Sequence, residues 1–131
     1  MMNERRVVIT GIGTISPLGN DLQSTWDGLK AGRSGISKIT KMDTEGYSVS
    51  IAGEVKGYDP KPYFKDAKDA RRADEYTLLA FGASKMAMED SGLDPDAVDK
   101  TRVGVMVGSG IGGLGTLERE HEKLIKRGPS R

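Results

Sequence analysis

The residues with the most to say about chemistry lie in Arg102–Gly115, RVGVMVGSGIGGLG. Val103, Val105 and Val107 alternate with Gly104 and Met106, the near-continuous apolar pattern of a strand buried on both faces. Glycines follow at 108, 110, 112, 113 and 115, and then comes the charged amphipathic run TLEREHEKLIK. Strand, glycine loop and helix is the order of a dinucleotide site, and Gly108, Gly110 and Gly113 satisfy G-x-G-x-x-G. Three features count against that chemistry. The fingerprint normally opens its unit, whereas here a good strand precedes it. The acidic ribose ligand expected about 20 residues on has no place in the sequence. No P-loop lysine follows the glycines. A nucleotide-binding module using Gly108–Gly113 is thus an alternative. The competing use of such glycines is to let backbone or ligand approach closely.

The chain has no cysteine and one histidine, His121. That removes disulfides, thiolate nucleophiles and cysteine zinc sites, and leaves no histidine pair for metal or acid–base work. No catalytic residue, metal site or cofactor is expected in this stretch. The net charge of +1 gives no global pull towards nucleic acid or a membrane surface. Aromatics, at 5%, are too few for base-stacking platforms. No stretch approaches a membrane span. The apolar run after MMNERR is too short for a signal peptide. The expectation is a soluble, cytoplasmic protein.

The elements that must position the glycine loop follow from pattern. Arg6–Gly11 reads as a short strand, followed by a turn-rich loop to Asn20. Asn20 or Asp21 caps a helix running to about Lys30, with Leu22, Trp26 and Leu29 on one face. Residues 36–48 read as irregular, and Ser48–Val55 as a strand weakened at Gly53. Lys61–Arg72 is a basic stretch. Asp74–Asp90 reads as a helix closed by Gly92, with Pro95 beyond. Leu79, Ala83, Met86 and Ala87 share one of its faces, while Leu78 and Phe81 point elsewhere. A helix apolar nearly all round is buried on all sides or lies at an oligomer interface. The last helix, Gly115–Lys126, carries Leu114, Leu117, His121, Leu124 and Ile125 on one stripe. His121 is therefore expected to face inward as a hydrogen-bonded core residue.

Four stretches, taken together, resemble one family. They are VVITGIGTISPLGN at 7–20, STWDGLKAGRSGI at 24–36, RRADEYTLLAFGASKMAMEDSGL at 71–93 and VGSGIGGLG at 107–115. In order and approximate spacing they are similar to the N-terminal part of the beta-ketoacyl-[acyl-carrier-protein] synthases. The GSGIGGLG form is closer to the synthase II branch than to synthase I. Polyketide ketosynthase domains are close relatives and remain an alternative, as does a non-catalytic interaction subunit lacking the second half.

The resemblance implies an α/β, thiolase-like fold, layered αβαβα, of which residues 1–131 would form the N-terminal portion of the first half. It implies a condensation of an acyl thioester with malonyl-carrier protein, losing carbon dioxide and adding two carbons. The acyl group would ride on a cysteine that the sequence stops short of, with two histidines assisting, so these 131 residues alone are expected to be inactive. The implied partners are an acyl carrier protein, acyl and malonyl thioesters, and a second subunit in a homodimer. Ile111, flanked by Gly110 and Gly112, matches the position lining the acyl pocket. Lys68, Arg71 and Arg72 match positions that meet the acidic carrier protein, and Arg131 matches a further basic one. Ser130 departs from the basic residue of a relative. Lys126 and Arg127 add positive charge beside Arg131 and join the expected docking surface.

Overall fold

The computed structural model describes residues 5–129, and Arg131 lies outside them. Helix α1 spans Leu22–Lys30. Asp21 holds an extended backbone before it, and its carboxylate accepts from Ser24 N at 2.7 Å, satisfying a donor the helix cannot. The side of α1 that packs is not the expected Leu22–Trp26–Leu29 face, which is exposed. It is the small, polar side of Ser24, Thr25 and Gly28. Thr25 Oγ1 and Ser16 Oγ sit 3.1 Å apart, and Arg33 donates to Ser24 O at 3.2 Å.

Strands β1 (Ile36–Lys38) and β2 (Ile51–Gly53) form an antiparallel pair with Ser37 opposite Ala52. The strand expected over Ser48–Val55 is therefore shorter, and its partner comes from the segment expected to be irregular. The reason is a buried clamp just past β2. Glu54 is buried and accepts from Thr40 N, Thr40 Oγ1 and Lys41 N at 3.0, 2.8 and 3.2 Å. The Thr40 hydroxyl, then the backbone N–H groups, hold its carboxyl below the ordinary glutamate value.

A 3₁₀ turn at Lys61–Tyr63 leads to α2 (Ala67–Arg72), capped by Asp66. Helix α3 (Glu75–Ser91) ends as its sequence requires, with Gly92 left-handed at φ 62°. The rest is arranged around α3. The 11–13 segment runs across its backbone so closely that a Cβ on Gly13 would lie 1.9 Å from Ala83 O. Ile12 N donates to Asp90 at 2.8 Å beside it. Tyr58 donates to Leu78 O at 3.0 Å, and the Phe64 and Phe81 rings lie 4.7 Å apart. Burial raises the Tyr58 phenol above its ordinary value.

Three expectations need correction. Arg6–Gly11 and Val103–Val107 lie in no ladder among the described residues. Val7 is 92% exposed, Val105 87% and Met106 98%, so neither segment is a strand buried on both faces here. A single strand has the pattern but leaves its backbone groups without partners, and assignment needs a neighbour. Second, α3 is not buried all round. Leu79, Ala83, Met86 and Ala87 are half-buried, whereas Tyr76, Phe81 and Met88 are exposed. Third, His121 is exposed on α4 (Leu114–Arg127), as are Leu117, Leu124 and Ile125 of its stripe. Among the described residues, Ala70 is the one buried apolar side chain. Helices α1 and α4 are joined to the rest through polar and small faces and leave their apolar faces uncovered, whereas α3 has one apolar side half-covered.

Candidate functional site

The glycine loop is shaped locally. Ser109 Oγ accepts from Gly112 N at 3.0 Å, and Gly112 takes φ 83°, a conformation side chains resist. Helix α4 then starts from Gly113 with no side-chain cap of its own. The missing anion comes from another element. A Cβ on Gly113 would lie 2.1 Å from Asp74 Oδ2, and Thr116 Oγ1 donates to Asp74 Oδ1 at 2.6 Å. Asp74 also begins α3, its carbonyl accepting from Leu78 N at 3.0 Å. One carboxylate thus sits at the positive end of α4 while its backbone opens α3. Where a dinucleotide would rest its pyrophosphate, the chain's own carboxylate already lies.

This pin places the end of α2 against α4. Between them lies a polar cleft of about 440 Å³, with Arg71, Arg72 and Asp74 on one wall and Thr116, Arg119, Glu120 and Lys123 on the other. Arg119 donates to Thr116 Oγ1 at 2.8 Å and lies 3.6 Å from Glu120. Lys123 donates to Glu120 at 2.7 Å, and that bond is the leading reason the Glu120 carboxyl falls below its ordinary value. Arg71 and Arg72 have no ion-pair partner among the described residues.

The expected docking residues are therefore only partly brought together. Arg71 and Arg72 line the cleft; Lys68, Lys126 and Arg127 do not. Lys126 is engaged with Glu122 one turn away. Arg119 and Lys123 were outside the expected set. The signal was legible: Thr116, Arg119 or Glu120, and Lys123 recur at three- and four-residue spacing, one polar face of a helix. Ile111 is 78% exposed. A Cβ on Gly110 would meet no atom within 4 Å, and one on Gly112 would face the Tyr76 ring. An apolar cavity of about 440 Å³ lies nearby, between Tyr76, Ala80, Phe81 and Ser84 of α3 and Val105 and Val107.

Among the described residues, no cluster of His, Cys, Asp and Glu could hold a metal ion, and no helix is long and apolar enough to cross a membrane.

The family model described as "Beta-ketoacyl synthase, N-terminal domain" matches residues 4–130, and the chain belongs to that family. The 3-oxoacyl-[acyl-carrier-protein] synthase 2 of Staphylococcus aureus (strain COL) is 46% identical over 131 residues, all of this chain and 31% of that protein. The Vibrio cholerae protein of the same name is 46% identical over 128 residues, 98% of this chain and 31% of its own length. Among solved structures, the ishigamide ketosynthase/chain length factor is similar at TM-score 0.73 and 32% identity, over 95% of this chain and 30% of that one. A second, a type II polyketide acyl-carrier protein in complex with its hexaketide-bound ketosynthase, gives TM-score 0.74 and 30% identity, over 95% and 33%. The fold is the thiolase-like α/β fold of ketosynthases. The chain spans about a third of the length of the relatives it matches.

Proposed function

We propose that these residues are the N-terminal portion of a beta-ketoacyl-[acyl-carrier-protein] synthase domain. The whole domain would join an acyl thioester to malonyl-carrier protein with loss of carbon dioxide, in fatty-acid elongation. The observation that carries this is the match along essentially the whole chain, together with a cleft of excess positive charge where an acidic carrier would dock. Identity of 46% to fatty-acid synthases against 30–32% to the polyketide ketosynthases favours the first pathway.

The cysteine that carries the acyl group is absent from this sequence. This segment's part is to receive and shape. Lys68, Arg71 and Arg72 of α2, with Lys126, Arg127 and Arg131 further along, orient the carrier protein. Ile111, between Gly110 and Gly112, bounds the acyl pocket, and a branched side chain among glycines is the only bulk the loop offers. The uncovered faces of α1, α3 and α4 are where the other layers of the fold lie, including a partner subunit in a cytoplasmic homodimer. Large contiguous apolar surface of this kind marks an interaction face.

The test is a chimera in which residues 1–131 replace the matching segment of the Staphylococcus aureus synthase. Condensation of acyl and malonyl carrier proteins by a folded chimera is the expected outcome. A folded, dimeric chimera that accepts neither would count against the reading.

A further inference from the structure

The cleft between α2 and α4 has an internal occupant on its α4 wall. Glu120 is the carboxylate held by Lys123 at 2.7 Å and flanked by Arg119 at 3.6 Å. It is half-exposed, and so are both cations. Across the cleft, Arg71 and Arg72 have no such partner among the described residues. The other carboxylate, Asp74, is committed to Thr116 at the start of α4. Four cations thus line a space of about 440 Å³ against two carboxylates, one of them engaged elsewhere. Arg119 is held by Thr116, so its guanidinium is presented in a fixed place.

We propose that Glu120 is an intramolecular stand-in for a carboxylate of the docking partner. An acidic side chain on the surface of an acyl carrier protein displaces Glu120 from Arg119 and Lys123, while Arg71 and Arg72 close on it from α2. The proposal rests on the carrier-docking reading above. It adds Arg119 and Lys123 to the surface and gives Glu120 the role of a competitor that weakens docking.

The sign of the effect is the test. Fluorescence anisotropy of labelled acyl carrier protein is titrated with the Staphylococcus aureus chimera at low salt, each variant being checked for folding by circular dichroism. Glu120→Gln frees two cations and should tighten binding about two- to threefold, the range of exposed ion pairs. Joint Arg119→Glu and Lys123→Glu should weaken it about tenfold. Glu118→Gln makes the same change of net charge outside the cleft and should leave binding nearly unchanged. Damage to the fold cannot produce a gain, so tightening by Glu120→Gln beyond Glu118→Gln supports the proposal. Carrier binding unaltered or weakened by Glu120→Gln overturns it while leaving the functional reading in place. No carrier binding by the folded, unmodified chimera overturns both. Inorganic phosphate binding with the same dependence on Glu120 would overturn the assignment to a side-chain carboxylate. The same variants in the Staphylococcus aureus chimera, read as kcat/KM for carrier-bound substrate, repeat the comparison in a complete synthase.

Discussion

The segments VSIAGEV at 49–55 and VGVMV at 103–107 are made of the same material, short apolar alternation interrupted by glycine. The first becomes a strand; the second lies in no ladder. What separates them is a neighbour. Ile51–Gly53 meets Ile36–Lys38 a short way back along the chain, and Glu54 fastens the return by taking donors from Thr40 and Lys41. Nothing among the described residues reaches Val103–Val107 in that way. Alternation specifies which side chains share a face, whereas a ladder needs a second strand. The same contrast runs through α1 and α4, which find partners within the chain on their polar sides and leave Leu22, Trp26, Leu29, Leu117, Leu124 and Ile125 exposed.

The largest effect that would break this comparison is chemistry by the uncovered part alone. Nucleophilic catalysis needs an activated group to hold the acyl chain, and the sequence has no cysteine and a single histidine. Incubation with acyl thioester should leave the mass of the 131-residue chain unchanged, and an acyl adduct in the mass spectrum would contradict the account. Next in size is Ile111→Phe. The exposed side chain touches no core here, so the stability of the chain should not move. In the chimera, overpacking of a filled pocket costs about 1–3 kcal/mol, or roughly one to two decades in turnover of long relative to short acyl chains. An unchanged long-to-short ratio would remove Ile111 from the pocket.

The closed side is probed by Gly13→Ala. The added methyl meets the Ala83 carbonyl and cannot be accommodated by rotation of a side chain. A loss of about 1–3 kcal/mol in denaturant unfolding of the chimera is expected, and a neutral result would show that the 11–13 segment is not pressed on α3. Smallest is Glu54→Gln, which weakens the clamp after β2. The folded-state pKa of Glu54 lies below its ordinary 4.5, so its contribution is complete above that value and is lost as pH falls through the folded pKa. The melting temperature of Glu54→Gln should therefore lie below that of the parent at neutral pH and converge with it in acid. A gap independent of pH would assign the loss to packing instead of the carboxylate.

Much of the helical frame was legible because its signals are local. Asp21 and Gly92 fix the ends of α1 and α3 through backbone donors and a left-handed residue close by in sequence. The buried face of α1 was not legible, since Ser24, Thr25 and Gly28 pack against the turn at Ser16–Gly19 and periodicity favours the larger Leu22, Trp26 and Leu29. His121 was misread for a related reason: a stripe marks what a helix offers, and nothing described here accepts the offer on α4. At the candidate site, Arg71 and Arg72 came from a family resemblance. The polar face carrying Arg119 and Lys123 was legible in its spacing, but its place beside Arg71 and Arg72 came only from the Asp74–Thr116 contact, which joins residues 42 apart in sequence.

The central claim is that this segment receives an acidic carrier protein through Arg71 and Arg72 in the cleft against α4. The most direct measurement compares kcat/KM for carrier-bound and small thioester substrates in the chimera before and after joint Arg71→Glu and Arg72→Glu. Exposed charge pairs act mainly on encounter, so a loss of about tenfold is expected with carrier-bound substrate, shrinking as salt is raised. The small thioester should be turned over as before. Equal loss with both substrates, or loss with neither, would contradict the claim.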